Sequence, residues 1–239
     1  EPSQWKIRGA DADSGRQGFS RVPAPVSGGG IRDQAGMVRQ ASSKEGTMKR
    51  RILCYGDSNT YGYDPRSYLG GRYPESVRWT SLLNTDDWKI INEGINGRCI
   101  PRSEDEIEAV LQALRRTGAE VLVVMLGSND LLRQPALNAE ICAKRMEAFL
   151  SKLQHQIPET PEILLVAPPP MKLGTWIENP RTMNESVRLA DCYAELADRL
   201  GIRFADAGAW HIQMAFDGVH FSEEGHRAFA EGIRQELEI

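Results

Sequence analysis

The sequence has no long apolar run. A helix that crosses a bilayer needs about 20 consecutive apolar residues, and the apolar segments here, such as Val121–Leu126, are much shorter. Basic residues follow Met48, but the apolar stretch after them stops at Tyr55 and no small-residue cleavage site follows. Because the pattern of a secretory signal is missing, we expect a cytoplasmic protein without a membrane partner.

The chain also has few cysteines and a small net charge. The four cysteines are Cys54, Cys99, Cys142 and Cys192, and none forms a Cys-x-x-Cys pair. This pattern indicates free thiols, mostly buried, in a reducing compartment. The formal net charge is −4, which argues against a nucleic-acid partner, because such proteins carry a basic surface.

Residues 1–47 differ in composition from the rest of the chain. They hold eight glycines and three prolines, with scattered apolar residues and no sustained periodicity. Met48-Lys49-Arg50-Arg51 then opens directly onto an apolar run, as a natural start codon would. We expect residues 1–47 to be a tag, a fusion remnant or a disordered extension, and residues 48–239 to form one domain.

Apolar runs alternate with amphipathic segments from residue 51 onward. The runs predict strands at Arg51–Tyr55, Trp88–Asn92, Glu120–Leu126, Ile163–Ala167 and Arg203–Ala205. The segments between and after them predict helices at Ser76–Leu83, Ser103–Thr117, Asn138–Gln156, Asn184–Leu200 and Ser222–Leu237. Such alternation predicts a parallel sheet with helices on both faces, which binds ligands at the carboxyl ends of its strands.

A candidate nucleophile follows the first predicted strand. Ser58 lies behind Gly56 and Asp57, and glycine allows the chain to turn sharply at a strand end. A serine hydroxyl becomes a good nucleophile only when a base takes its proton. A lone Gly-Asp-Ser is equally compatible with a helix cap, so the assignment depends on the partners of Ser58.

The candidate base and its orienting carboxylate share one late loop. Asp217 precedes His220 by three residues, a spacing that lets the carboxylate accept a hydrogen bond from Nδ1 and leaves Nε2 free to face Ser58. The alternative is an Asp-Gly turn followed by a surface histidine.

Two further positions offer hydrogen-bond donors to an oxyanion. Asn129 follows the third predicted strand through Gly127-Ser128, and Gly94 follows the second. Together with the Ser58 N–H, the Gly94 N–H and the Asn129 amide would give one oxygen three donors. The simpler interpretations are a turn or helix cap for Asn129 and an ordinary loop glycine for Gly94.

These segments resemble the SGNH hydrolases, also called the GDSL-type esterase and lipase family. The four letters of the family name match Ser58, Gly94, Asn129 and His220, and Asp217 matches the acid of the triad.

The run from residue 51 to residue 63 is most similar to the arylesterase-like branch of that family, as are Gly70–Pro74 and Val77–Trp79. One departure is Asn59, where the family signature has leucine. This position is not catalytic in the family, so the departure does not count against activity.

The resemblance implies a flavodoxin-like three-layer α/β/α sandwich with a five-stranded parallel sheet. It also implies hydrolysis through an acyl-enzyme, with no cofactor and no metal. Members of the branch act on short-chain and aryl esters or acetylated sugars, and several form large homo-oligomers. We therefore expect a small-molecule ester substrate, acyl transfer as a further activity, and a homo-oligomer.

Aromatic residues in three loops are expected to wall the substrate pocket. They are Tyr61, Tyr63, Trp176, Trp210 and Phe216. Aromatic walls favour a short acyl group and a flat or sugar-like alcohol. Each ring could instead be a core or subunit contact.

Several alternatives remain open at this stage. A thioesterase or lysophospholipase of the same fold would need a long acyl groove, which crowded aromatic loops disfavour. A non-catalytic binding module is disfavoured because no chemical group of the site has been lost. A cysteine nucleophile lacks the partners that Ser58 has, and a metal hydrolase lacks ligands at HExxH-like spacing.

Overall fold

Five parallel strands form the centre of the computed structural model, which describes residues 49–67, 69–134, 136–157 and 161–239. The strands are β1 (Arg50–Gly56), β2 (Trp88–Gly94), β3 (Val121–Met125), β4 (Glu162–Ala167) and β5 (Arg203–Asp206). Their order across the sheet is β2-β1-β3-β4-β5, and all neighbouring pairs are parallel. This is the flavodoxin-like order, so the predicted fold class is confirmed.

The described residues also form seven α-helices and one short 3₁₀-helix at Ala207–Trp210. The α-helices are α1 (Ser58–Tyr61), α2 (Trp79–Leu82), α3 (Glu104–Thr117), α4 (Ser128–Arg133), α5 (Ala139–Gln156), α6 (Pro180–Leu200) and α7 (Glu223–Leu237). The short helices α1 and α4 follow directly on β1 and β3, at the predicted site.

Two apolar cores lie on opposite faces of the sheet because successive strand side chains alternate. In β1, Leu53 and Tyr55 pack with the buried residues of α3, α5 and α6. Ile52 and Cys54 face the other side, where they join the cluster that includes Trp79 of α2 and residues of α7. Helices on both faces of the sheet give the three expected layers.

Most helix boundaries follow the capping signals in the sequence. Ser103 and Glu106 form the predicted reciprocal capping box of α3, and Gly118 ends that helix with a φ of 59°. The helix expected over Ser76–Leu83 is shorter, because Arg78 is extended and α2 begins only at Trp79.

One apolar residue of α6 lies outside the core. Val187 is 52% exposed, because the buried face of α6 runs through Leu189, Tyr193 and Leu196 instead. The four cysteines are free thiols; Cys54 and Cys142 are buried, and the other two are half-buried.

The prediction for residues 1–47 lies outside the described residues. None of the helices in the described ranges is long and apolar enough to cross a membrane.

Candidate active site

Ser58 lies where the chain leaves β1, an interior strand of the sheet. It is the first residue of α1, and the side chain of Asp57 caps that helix by accepting a hydrogen bond from the Asn59 N–H. A Cβ on Gly56 would lie 2.0 Å from Thr60 Oγ1, so only glycine allows this close turn. The position is the carboxyl end of β1, beside β3, where the strand order reverses and flavodoxin-like sheets bind their ligands.

Ser58, His220 and Asp217 form one chain of hydrogen bonds. His220 Nε2 lies 2.9 Å from Ser58 Oγ, and His220 Nδ1 lies 2.6 Å from Asp217 Oδ2. Asp217 is fully buried, and His220 is 2% exposed. A carboxylate can only accept, so Nδ1 carries the proton and Nε2 is the nitrogen that can accept one from the serine.

The Asp217 carboxylate is held by the turn that carries it. Its Oδ1 accepts hydrogen bonds from the backbone N–H groups of Val219 and His220, both at 2.9 Å. Gly218 closes this turn with a φ of 80°, a conformation that favours glycine. Burial acts to raise the pKa of Asp217, but the hydrogen bonds from His220 and from these two amides outweigh it and hold the pKa below its usual value.

Asp57 is a second buried carboxyl beside Ser58. Burial raises its pKa to about 6, against the lowering effects of the Asn59 amide, His220 and Arg98. Its Oδ2 accepts a hydrogen bond of 3.3 Å from Asn129 Nδ2, which also donates to the Arg98 carbonyl at 3.2 Å. Asn129 is therefore oriented by two long hydrogen bonds.

The structure does not bring Gly94 into the cavity beside Ser58. The Gly94 N–H donates to Asn92 Oδ1 at 2.9 Å. A Cβ on Gly94 would lie 2.1 Å from the backbone nitrogen of Tyr61, so glycine is required here for packing against α1. Gly97, three residues later, lines the cavity instead and has a φ of 73°.

The cavity beside Ser58 has a volume of about 510 Å³. Its lining residues are Ser58, Tyr63, Asn96, Gly97, Asn129, Leu132, Arg133, Trp176, Val219 and His220. The rings of Tyr63 and Trp176 also contact the His220 imidazole, with centroid distances of 4.6 and 5.0 Å.

Three of the aromatic residues expected in the pocket lie elsewhere. Trp210 packs in the core against Phe229, with ring centroids 5.1 Å apart, and covers Gly232. Tyr61 stacks under the guanidinium of Arg72. Phe216 is 60% exposed and does not line the cavity.

Sequence analysis missed five lining residues. They are Asn96, Gly97, Leu132, Arg133 and Val219. Two signals could have found some of them: Asn96-Gly97 is a turn dipeptide just after a predicted strand, and Arg133 follows Asn129 by four residues, which is one helical turn.

No group of three or more His, Cys, Asp or Glu side chains that could hold a metal occurs within the described ranges. The lining groups that can take part in proton transfer or charge stabilisation include the Ser58 hydroxyl, the His220 imidazole and the Asn129 amide. Such a set suits acyl transfer.

Comparisons with known proteins agree with the fold and the motifs. The profile of the GDSL-like lipase/acylhydrolase family matches residues 54–228. No curated protein matches the sequence.

Solved structures match over most of the chain. A carbohydrate acetylesterase family member from Sinorhizobium meliloti is 30% identical with a TM-score of 0.68, covering 80% of this chain and 100% of its own. A provisionally assigned arylesterase from Agrobacterium tumefaciens strain C58 is 28% identical with a TM-score of 0.71, covering 79% and 98%. The aryl esterase of M. smegmatis, at 24% identity and a TM-score of 0.67 over 79% and 98%, shares the fold.

The family match spans well over half of the chain and includes the segments of Ser58, Asn129 and His220. The resemblance noted in the sequence is thereby confirmed, and the chain belongs to the GDSL-like lipase/acylhydrolase family of hydrolases.

Proposed function

We propose that this protein is a serine esterase that hydrolyses short-chain carboxylic esters through an acyl-enzyme on Ser58. The observation that carries the proposal is the hydrogen-bonded chain from Ser58 Oγ through His220 to Asp217, with distances of 2.9 and 2.6 Å. In this proposal Ser58 is the nucleophile, His220 the general base and acid, and Asp217 the residue that orients His220.

In the first half-reaction, His220 Nε2 takes the proton of Ser58 as Oγ bonds to the ester carbonyl carbon. The carbonyl π electrons move to the oxygen, which becomes an oxyanion. The imidazolium then gives its proton to the leaving alcohol as the C–O bond breaks. Asp217 stabilises this imidazolium, because its pKa lies below the usual value and it therefore stays ionised at neutral pH.

The oxyanion needs hydrogen-bond donors that lie beside Ser58. We assign them to the Ser58 N–H, the Gly97 N–H and the Asn129 side chain, and we replace Gly94 by Gly97 in this role. The Gly94 N–H is occupied by Asn92, whereas Gly97 and Asn129 line the cavity. Asn129 would exchange one of its two long hydrogen bonds for the oxyanion.

In the second half-reaction, His220 takes a proton from water as the water oxygen attacks the acyl carbon, and returns it to Ser58 Oγ as the acyl-enzyme bond breaks. An alcohol in place of water gives acyl transfer by the same steps. Aryl and acetylated carbohydrate esters are the proposed substrates, in line with the named activities of the S. meliloti and A. tumefaciens relatives.

The Ser58→Ala variant tests the proposed nucleophile. We expect kcat for 4-nitrophenyl acetate to fall by at least about 10³-fold, because loss of one triad member disables the triad as a unit. A fluorophosphonate should add its mass to the wild-type protein and not to the variant.

Ser81→Ala, in α2 away from the cavity, is the control and should keep wild-type turnover. A folded Ser58→Ala protein with near wild-type kcat, or one still labelled by the fluorophosphonate at the same rate, would overturn the proposal.

The acyl chain length separates an esterase from the thioesterase or lysophospholipase alternative. Tyr63 and Trp176 stand against His220 in the cavity, so bulky rings narrow the space beside the imidazole. We expect kcat/KM to fall from acetyl through butyryl to octanoyl nitrophenyl esters. A long acyl groove would give the opposite trend, because each buried methylene contributes about 0.8 kcal/mol.

A further inference from the structure

The side chain of Asn59 bridges two parts of the chain that carry the proposed catalytic residues. Asn59 is 5% exposed and directly follows Ser58. Its Nδ2 donates to the Val219 carbonyl at 3.0 Å, and its Oδ1 accepts from the Phe221 N–H at 2.9 Å. The amide therefore binds the backbone on both sides of His220.

The orientation of this amide is fixed by its partners. A backbone carbonyl can only accept a hydrogen bond, and a backbone N–H can only donate one. The oxygen of Asn59 must therefore face Phe221, and the nitrogen must face Val219. Both backbone groups belong to buried residues, so losing the amide would leave them without a partner in a dry environment.

Asn59 is itself held rigidly to α1 and to the core. Its backbone N–H donates to Asp57 Oδ1 at 3.0 Å, and its carbonyl accepts from Trp79 Nε1 at 3.0 Å. Trp79 is 1% exposed and packs in one of the two apolar cores. A displacement of Asn59 would therefore require α1 to move against the core.

The Asp217 turn alone does not determine where His220 lies relative to Ser58. Asp217 binds the His220 ring and backbone from within the same loop, so the two can move together. The loop is also bound to residues 172–176, where the Lys172 N–H donates to the Gly218 carbonyl at 2.9 Å and the Trp176 N–H donates to the Asp217 carbonyl at 3.2 Å. Contacts between the loop and α1 act on the distance from Nε2 to Oγ more directly, because α1 carries Ser58 itself. The Asn59 amide supplies two such contacts, one on each side of His220.

We propose that Asn59 is a positioning residue that sets the distance between His220 and Ser58 by clamping the backbone at Val219 and Phe221. This inference rests on the proposed function. The leucine of the family signature could fill the same space but could make neither hydrogen bond, so this chain would hold its histidine by a contact that a leucine-bearing signature lacks.

The first experiment replaces Asn59 by leucine and by aspartate. Asn59→Leu removes both hydrogen bonds while keeping the number and branching of the side-chain heavy atoms, and we expect kcat for 4-nitrophenyl acetate to fall by about 10–100-fold with little change in KM, as misplaced catalytic groups do. Asn59→Asp keeps the acceptor for Phe221 but places an oxygen against the Val219 carbonyl. Its activity relative to wild type should recover as the pH falls, because a protonated aspartate can donate.

Asn84→Leu is the matched control. Asn84 also binds backbone groups through its side-chain amide, accepting from Ile90 N–H and donating to the Ser81 carbonyl. It does not line the cavity. We expect this variant to lose stability without losing kcat.

The second experiment asks whether Asn59 acts through His220. In a His220→Ala background, adding Asn59→Leu should leave the residual kcat unchanged, since there is no imidazole left to position. A purely structural effect would lower the residual activity again. Equal fold-losses in both backgrounds would therefore overturn the proposal, as would wild-type kcat in a folded Asn59→Leu protein.

If Asn59→Leu does not fold, the kcat values of Asn59→Asp and Asn59→Ala are compared with wild type in the same way. Unchanged kcat in both folded variants would count against the positioning role of Asn59. The outcome is distinct from failure of the proposed function. If Asn59 has no positioning role but the proposed function is right, Ser58→Ala is still inactive. If the proposed function is wrong, Ser58→Ala keeps its activity.

Discussion

At the residue scale, the charge around the cavity is one-sided. Arg133 is the one formally charged side chain among the described residues that line it, apart from what protonation adds to His220. Its guanidinium lies against Gly97, where an added Cβ would meet Nη2 at 2.6 Å. Asp57 and Asp217 lie buried beneath the cavity. A substrate that enters therefore meets a cation beside the proposed oxyanion donors.

We expect Arg133 to favour esters that carry an anionic group. The kcat/KM ratio of 4-acetoxybenzoate to 4-acetoxybenzamide should fall by about 5-fold in Arg133→Gln, because two charges about 4 Å apart in water gain about 1 kcal/mol. Arg199→Gln, whose native side chain pairs with Glu147 on the surface, is the control. An unchanged ratio in Arg133→Gln would show that the cavity does not select by charge.

At the scale of elements, the close approach of α1 to the end of β2 sets the position of Ser58, the proposed nucleophile. β1 and β2 end side by side, with Gly56 opposite Gly94, and α1 starts across both ends. The Cα of Gly94 lies so close to the backbone of Thr60 and Tyr61 that no side chain fits between them. This packing accounts for a glycine at position 94.

Gly94→Ala should therefore act through stability. The added methyl must displace α1 or β2, and overpacking of this kind costs about 1–3 kcal/mol. We expect a lower melting temperature by several degrees, measured by thermal unfolding.

Gly201→Ala is the control, because a Cβ at this helix end meets no atom within 4 Å and reports only the cost of its φ of 63°. Asn129→Ala, in contrast, should lower kcat while changing the melting temperature little. A Gly94→Ala protein with unchanged melting temperature and lowered kcat would instead support the oxyanion role first predicted for this glycine.

At the scale of the whole molecule, apolar side chains remain exposed around the cavity mouth. Trp176 lines the cavity and is 56% exposed. Leu173 and Phe216 are also exposed, and the backbone joins their segments, since Thr175 N–H donates to the Phe216 carbonyl. Exposed apolar groups near each other are typical of interaction surfaces.

The homo-oligomer expected from the sequence stays a prediction, and we expect these exposed apolar residues to take part in its interface. Light scattering after size exclusion should give a mass that is a multiple of 26.7 kDa at micromolar concentration, and Leu173→Glu should lower it. Val187→Glu, at an exposed position on α6, is the control. A monomer mass for the wild-type chain would rule out the assembly and leave the catalytic proposal intact.

The sequence by itself determined the features that depend on neighbours along the chain. Alternating apolar runs and amphipathic segments predict the parallel sheet and its helical layers. Strand ends locate Ser58 and Asn129, and the spacing of Asp217 and His220 fixes their pairing within one turn. Because these signals are local in the sequence, they can be recognised without knowledge of the fold.

Only the tertiary structure decided which distant groups meet. Ser58 and His220 are 162 residues apart in the sequence. The approach of their two segments also gives the Asn59 side chain its backbone partners at Val219 and Phe221, which the neighbours of Asn59 in the sequence do not reveal. The proposed choice of Gly97 over Gly94 as an oxyanion donor rests on the hydrogen bond that already occupies the Gly94 N–H. Trp210 lies in the core and Trp176 in the cavity because the direction of a ring is set by packing against other segments, which residue type alone does not specify.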